Sequence, residues 1–310
     1  MKAYLLLSLA LLISCTTVKK TDAQPGNQLL KDVEILSSDA YEGRKTGTKG
    51  AEMARTYLSS RFSESGIKVL ESLQGYEQAF TFINGSETIN GKNLLGYIQG
   101  TTDSIIVISA HYDHIGIINN EIYNGADDNA SGVAGLLKIA AHFSKQKPNY
   151  TLLFAAFDAE EMGLRGAKAF LINPPVVLSK IKLNVNMDMI SHNDKGELYA
   201  CGTFKYPELK KYFHTSSPNV KVLFGHDDPK LGHDDWTNQS DQGAFNEKNI
   251  PFIYFGVEDH KDYHKTSDEF KNINTAFFID AAQSILEIVI NIDKKRDIKS
   301  LSDEKRRMIK

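Results

Sequence analysis

A short apolar segment that ends in an imidazole and a carboxylate constrains this chain more than any other feature. Residues Ser104–Ala110 are almost all apolar and predict a buried β-strand, and His111 and Asp113 follow it directly. In open α/β sheets, ligands bind just beyond the carboxyl ends of the strands. One loop later, two adjacent aspartates, Asp127 and Asp128, precede a small-residue run that predicts the start of a helix. The segment therefore predicts a ligand-binding edge on an α/β sheet.

Three further apolar runs end in the same way. Each predicts a buried strand, and each is followed by carboxylates or imidazoles: 150–157 by Glu160 and Glu161, 181–187 by Asp188, and 250–255 by His260, Asp262, His264 and Asp268. Four such strand ends would converge on one edge of a sheet. Charged groups of like sign are costly to bury together unless cations neutralise them. The pattern therefore favours a metal site over a set of solvated loop charges.

The alternation of strands with helices sets the expected architecture. Helical spacing is found over 29–36, 51–64, 131–143, 167–171 and 276–292, and strand-like runs also cover 76–83 and 93–98. This order indicates βαβ units and a largely parallel or mixed sheet in one α/β domain. The tail from Lys294 is rich in charge and is expected to be a solvated end.

Composition excludes some classes of partner. The chain has 310 residues, 41% of them hydrophobic, and a formal net charge of −3, which suits a globular domain with a sizeable core. The near-neutral balance gives no reason to expect nucleic acid as a partner. Of the two cysteines, Cys201 lies in a strand-like run and is expected to be a buried thiol.

Five motifs in order resemble those of the M28 family of zinc peptidases, the aminopeptidase Y and bacterial leucine aminopeptidase group. They are the strand followed by His-Tyr-Asp, then Gly-Ala-Asp-Asp-Asn-Ala-Ser-Gly, Asp-Ala-Glu-Glu-Met-Gly, Asn-Met-Asp-Met-Ile and Tyr-His-Lys-Thr-Ser-Asp. The resemblance runs from about Leu29 to about Ile292. It implies a three-layer α/β/α sandwich around a mixed, mostly parallel central sheet.

The resemblance also implies a ligand set for two Zn²⁺ ions per chain. By it, His111 and Asp188 hold one ion, Glu161 and His264 hold the other, and Asp127 bridges them. Imidazole and carboxylate ligands with open positions suit catalytic zinc. Zinc and cobalt remain open alternatives for the metal used in the cell.

Two further carboxylates and two catalytic residues complete the implied site. Asp113 is expected to orient the first imidazole, and the peptide between Asp127 and Asp128 is expected to be cis. Glu160 resembles the general base that activates a metal-bridging hydroxide and then protonates the leaving amine. Tyr263 is expected either to hydrogen-bond the oxyanion or to pack in the core.

The implied activity is that of an aminopeptidase acting on peptides with a free amino terminus. Three alternatives remain: a single-zinc glutaminyl cyclase, a carboxypeptidase of the same family, and a binding protein that has lost catalysis. His114 is expected to have a rim or supporting role. One departure from the family pattern is Gln242, where relatives commonly have His, so the cleft wall is expected to differ. Trp236 is expected to line a side-chain pocket.

The amino terminus resembles an export signal. Lys2 and the apolar run 5–13 precede Leu-Ile-Ser-Cys, which resembles the bacterial lipobox. We expect a signal peptide over 1–14, a lipidated tether over 15–27, the peptidase domain over 28–295 and a charged tail over 296–310. Cys15 would then carry the lipid and anchor the protein to the bacterial cell envelope, at the periplasmic face or the cell surface.

Overall fold

The computed structural model describes residues 27–296 and 298, which surround one large sheet. The expected signal peptide, Cys15 and nearly all of the charged tail lie outside these residues. The strands are β1 (Glu77–Asn84), β2 (Glu87–Ile98), β3 (Ile105–His111), β4 (Gly116–Ile118), β5 (Glu121–Tyr123), β6 (Thr151–Phe157), β7 (Ile181–Met187), β8 (Glu197–Cys201), β9 (Lys221–Phe224) and β10 (Phe252–Gly256). The helices are α1 (Asn27–Leu36), α2 (Lys49–Glu64), α3 (Gly132–Phe143), α4 (Arg165–Ile172), α5 (Gln242–Glu247) and α6 (Thr275–Lys295).

The main sheet has eight strands in the order β1-β2-β6-β3-β7-β10-β8-β9. Strands β6, β3, β7 and β10 at its centre run parallel, while β1–β2, β2–β6 and β10–β8 pair antiparallel. β4 and β5 form a separate hairpin. The predicted mixed, mostly parallel sheet is thus confirmed, and its four parallel strands are the ones that carry the predicted site residues.

Alternating side chains of the central strands divide the core into two layers. Ile106 and Ile108 of β3 face the cluster that contains α1, α2, α3 and α6, whereas Ile105 and Val107 face the cluster that contains α4 and α5. All seven residues of β3 are buried, because helices cover both faces of a parallel sheet. The α/β/α sandwich follows directly from this division.

Helix α6 is the one helix in 27–296 that is long and apolar enough to cross a membrane by length and composition. Within its most apolar window, 56% of the residues are buried inside the protein. Its buried side chains, among them Phe278, Ile285 and Ile292, belong to the larger core cluster. The helix therefore has the packing of a core helix.

Candidate active site

The central strands deliver their charged residues to one edge of the sheet. His111 is the last residue of β3, Glu160 and Glu161 follow β6, Asp188 follows β7, and His264 lies in the loop after β10. Because β6, β3, β7 and β10 are adjacent and parallel, their carboxyl ends open into the same space. The predicted convergence of these strand ends is present.

Asp128 lies at the centre of this group and faces two sets of side chains. Its Oδ1 is 3.4 Å from His111 Nε2, which is also 3.2 Å from Asp188 Oδ1. Its Oδ2 is 3.0 Å from His264 Nε2, which is 3.5 Å from Glu161 Oε2. The carboxylate of Asp128 thus lies between one histidine–carboxylate group and another.

Asp127, for which the bridging position was predicted, points away from this centre. Its Oδ1 accepts hydrogen bonds from the Ser191 backbone N–H and hydroxyl, both at 2.7 Å, and its Oδ2 lies 2.9 Å from His260 Nε2. Both oxygens are therefore engaged with structural partners. Asp128, one residue later, is the aspartate that lies between the two groups, whereas Asp127 contacts Ser191 and His260.

The backbone of this segment explains the one-residue difference. The cis peptide joins Asp128 to Asn129, one residue after the Asp127–Asp128 peptide for which it was expected. The buried carboxylate of Asp268 accepts the backbone N–H groups of Asp127 at 2.8 Å and of Asp128 at 3.0 Å. Asn129 is fully buried and donates its amide to the Met187 carbonyl at 2.9 Å. These contacts fix which of the two aspartates faces the cleft.

His114 is buried within the second group, where a rim or supporting role was predicted. Its Nδ1 is 2.7 Å from Glu161 Oε1 and 3.7 Å from Asp128 Oδ2. Its Nε2 is buried and has no hydrogen-bond partner in the part of the chain that the structure describes. His114 therefore orients Glu161 and is also positioned near enough to serve as an additional ligand.

Asp113 supports both sides of the site. The His111 Nδ1 atom is 3.1 Å from the Asp113 backbone carbonyl and 3.6 Å from its Oδ1. The carboxylate itself accepts the backbone N–H groups of Glu160 at 3.0 Å and Glu161 at 3.4 Å. The side chain thus positions the two-glutamate loop, while the main-chain carbonyl provides the shorter contact to the imidazole.

Arg44 was not identified from the sequence, yet it holds the loops of the site together. Its fully buried guanidinium donates to four backbone carbonyl oxygens at 2.6–2.8 Å, those of Leu36, Tyr112, Asn124 and Gly125. Burial lowers the pKa of Arg44 to about 10, although the carboxylates of Asp268 and Asp128 act against this change. The side chain therefore stays charged at neutral pH. The Gly-Arg pair after a helix gave only a loop signal in the sequence.

The electrostatics of the site reflect many acidic groups in a small buried space. Burial raises the pKa of Glu160 well above its ordinary value, and the carboxylates of Asp188, Asp241 and Glu161 add to the effect while His111 opposes it. The pKa of His111 is raised, because Asp188 and Glu160 outweigh the opposing effect of burial. The pKa of Asp128 is lowered, because His114, His111 and His264 outweigh burial. Such a group attracts cations.

The departure at Gln242 lies behind the cleft. Gln242 is fully buried, accepts a hydrogen bond from Asn186 Nδ2 at 3.0 Å and donates to the Trp236 carbonyl at 2.8 Å. It therefore supports the cleft wall through Trp236 and does not form its surface. Burial also raises the pKa of the neighbouring Asp241 to about 8.

A cleft of about 470 Å³ opens beside Asp128 and the two histidine–carboxylate groups around it. Trp236 lines it, as predicted, together with Leu164, Met189, Val257 and Tyr263. The acidic residues that line it are Asp128, Glu160, Glu161, Asp188 and Asp259. The cleft therefore combines an apolar wall with carboxylates next to the central group.

Comparison with known proteins agrees with this fold. The model of Peptidase family M28 matches residues 93–289. Leucine aminopeptidase 2 of Trichophyton equinum is 26% identical over 276 residues, which cover 78% of this chain and 54% of that protein. The chain spans about a fifth to about half of the length of the curated relatives that it matches.

Two solved structures share the fold at low sequence identity. A leucine aminopeptidase precursor from Bacteroides thetaiotaomicron gives a TM-score of 0.70 at 18% identity, with 86% of this chain and 97% of that chain covered. A glutaminyl cyclase from the same organism gives 0.69 at 18% identity with the same coverage. The chain belongs to Peptidase family M28, as the motifs predicted.

Proposed function

We propose that this protein is a dinuclear zinc aminopeptidase that removes the amino-terminal residue of peptides. The observation that carries the proposal is the position of Asp128. Its two oxygens face two separate groups, His111 with Asp188 and His264 with Glu161. A carboxylate in this position can bind two neighbouring metal ions, one with each oxygen.

The donor set fits zinc. His111, Asp128 and Asp188 each offer one ligand atom, and so do His114, Asp128 and Glu161, with all atoms of a group within 4.8 Å of one another. Imidazole nitrogens and carboxylate oxygens suit Zn²⁺, and His264 adds a further nitrogen to the second group. Zinc ions bound there would lower the pKa of a coordinated water and polarise the peptide carbonyl.

Glu160 is proposed to be the general base and then the general acid of the reaction. Its backbone is held by Asp113, and its side chain lines the cleft beside the proposed metal ligands. As general base, its carboxylate takes a proton from the attacking water while the new carbon–oxygen bond forms. It then gives that proton to the leaving nitrogen as the peptide C–N bond breaks.

Tyr263 is proposed to stabilise the tetrahedral oxygen. Its ring stacks on His264 with centroids 3.9 Å apart and also lines the cleft. Burial and the nearby carboxylates of Asp128 and Asp188 raise the pKa of Tyr263, so the phenol stays protonated. A protonated phenol can donate a hydrogen bond to the developing negative charge.

The charge of the cleft favours a substrate with a free amino terminus. Carboxylates surround the central group, and Asp259 lies at the cleft wall. A carboxypeptidase would need cationic side chains for the substrate carboxylate. Among the described residues that line the cleft, Lys168 is the one lysine or arginine, and its Nζ donates to the Gly163 carbonyl at 3.1 Å. Aminopeptidase activity is therefore favoured over carboxypeptidase activity.

The test separates an aminopeptidase from a glutaminyl cyclase, whose fold is equally similar. Purified protein is assayed against a panel of aminoacyl amides, a free peptide, the same peptide with an acetylated amino terminus, and a peptide that begins with glutamine. We expect amino acid release from the free peptides and none from the acetylated one. Ammonia release from the glutaminyl peptide without chain cleavage, together with one tightly bound zinc, would contradict the proposal.

We also propose that the protein is exported and anchored to the cell envelope by a lipid on Cys15. The support for this proposal is the amino-terminal sequence, where an apolar run precedes Leu-Ile-Ser-Cys. The anchor would keep the catalytic body at a membrane surface while leaving the cleft open to peptides.

A further inference from the structure

Three side chains from two loops meet beside the active site without taking part in it. His192 lies in the loop after β7, and His260 and Asp262 lie in the loop after β10. The two imidazole rings stack with centroids 3.9 Å apart and an interplanar angle of 18°. One possible ligand atom from each of the three residues lies within 4.8 Å of the others.

Asp262 is only partly satisfied by its surroundings. The residue is 5% exposed, and its Oδ1 accepts a hydrogen bond from the Ser267 hydroxyl at 2.7 Å. Its Oδ2 is buried, lies 3.9 Å from His192 Nδ1, and has no hydrogen-bond partner among the residues that the structure describes. A buried carboxylate oxygen without a donor is costly, so this oxygen requires a cation or another donor.

The surroundings of His260 prepare one of its nitrogens for a ligand. Its Nε2 is 2.9 Å from Asp127 Oδ2, so the proton belongs on Nε2, where it is donated to the carboxylate. Nδ1 is then the acceptor nitrogen. It accepts one long hydrogen bond, at 3.3 Å, from the Asp262 backbone N–H, and a metal ion would take the place of that donor. Histidines that bind metal characteristically donate their other ring N–H to a carboxylate in this way.

We propose that His192, His260 and Asp262 form a third metal site, separate from the pair around Asp128, for Zn²⁺ or a similar divalent transition metal ion. Two imidazoles and one carboxylate are a ligand set of zinc, with a fourth position for water. The ion satisfies the free oxygen of Asp262. It also ties the loop after β7 to the loop that carries Tyr263 and His264.

The experiment measures the number of zinc ions bound per chain and does not depend on catalytic activity. Full-length protein is stripped of metal and titrated with Zn²⁺ in competition with a chromogenic chelator. We expect three ions for the wild type and two for His192→Ala or the nearly isosteric Asp262→Asn. The control is His214→Ala, which changes an exposed histidine outside the site and should keep three. Near-UV circular dichroism checks that each variant is folded.

A second set of variants, made in the Asp128→Asn protein, tests this proposal separately from the assignment of the active site. Asp128→Asn should retain the third ion even where the pair is lost, and adding His192→Ala should remove it. A wild type that binds two ions, or a His192→Ala protein that still binds three, would overturn the third site. A folded Asp128→Asn protein that binds no ion would overturn it as well. If Asp128→Asn instead keeps all three ions, the third site stands and the shared role of Asp128 fails.

Discussion

The two neighbouring aspartates provide the sharpest test of the active-site assignment. Asp128→Asn and Asp127→Asn are the same chemical change, one residue apart, in the same buried segment. In Asp128→Asn, one of the two oxygens that face His111 and His264 becomes an amide nitrogen. In Asp127→Asn, the change falls on contacts with Ser191 and His260.

The expected effects differ in kind. Asp128 makes two charged contacts, at 3.4 Å and 3.0 Å, with the groups that hold the proposed metal pair. Asn is neutral, so neither contact is charge-assisted in the variant. At about 1.5–3 kcal/mol for each contact, the change costs about 3–6 kcal/mol of transition-state stabilisation. At about 1.4 kcal/mol per tenfold, kcat/KM falls by about 10²- to 10⁴-fold.

For Asp127→Asn, the amide oxygen can still accept the two donors of Ser191, so the loss is confined to the contact with His260. We expect a cost of about 1.5–3 kcal/mol in the free energy of unfolding. For a body of this size, Tm then falls by roughly 3–8 °C. The cleft is unchanged, so kcat/KM should fall by less than about tenfold.

The assay compares kcat/KM on an aminoacyl amide, zinc content and Tm for both variants and the wild type. Loss of zinc and activity in Asp127→Asn, together with an active Asp128→Asn, would show that the bridging position belongs to Asp127 and would refute the reasoning. Equal losses in both variants at unchanged Tm would also contradict it.

Five further outcomes are expected. Glu160→Gln should keep its zinc yet lose at least ~10²-fold in kcat. In the wild type, activity should fall on acidification with a midpoint above the ordinary glutamate pKa of 4.5. The reason is that burial raises the pKa of Glu160 and only its ionised form accepts the proton. Arg44→Met should lower the free energy of unfolding in urea by roughly 3–5 kcal/mol, since four buried carbonyls lose their donor; a loss below 1 kcal/mol would contradict this role. Cys201 should not react with a thiol reagent at pH 8 until the protein is unfolded, because burial raises its pKa and only the thiolate reacts. Cys15→Ser should move the protein from the membrane fraction to the soluble fraction with its activity unchanged; retention at the membrane would contradict the anchor.

The central strands could be predicted because their sequence signal is strong and local. The runs that end before His111 and Glu160 are buried on both faces and are therefore almost continuously apolar. Strand β7, which ends before Asp188, is also almost entirely buried, and its apolar residues alternate with Lys182, Asn184 and Asn186. Strand β9 was missed, since it is a short edge strand with two exposed residues. The β4–β5 hairpin was missed too, although Asn119 and Asn120 at its turn, both with positive φ, gave a usable signal.

The roles of individual side chains were harder to predict, because their partners are distant in sequence. Arg44 binds carbonyls 68 to 81 residues further along the chain at three of its four contacts. His114 is drawn into the site by Glu161, 47 residues away. Neither partner can be read from the local pattern, which at both positions is that of a loop.

Asp127 and Asp128 are neighbours in the sequence but have different contacts in the structure. Two adjacent carboxylates look equivalent in sequence, yet Asp268 accepts both of their backbone N–H groups and so fixes the segment from behind. With the backbone held, the Asp127 side chain contacts Ser191, His260 and the Ser131 hydroxyl, and the Asp128 side chain reaches the cleft. Asp127 therefore links the backbone of the proposed bridging residue to the imidazole of the proposed third metal site.

Because this link is a single charge-assisted contact, Asp127→Asn should weaken zinc binding at the third site by about 10- to 100-fold while leaving the affinity of the pair nearly unchanged. Chelator competition on that variant, with the His192→Ala protein as the reference for a lost site, measures the coupling directly. An unchanged third affinity would show that the contact between Asp127 and His260 serves stability alone.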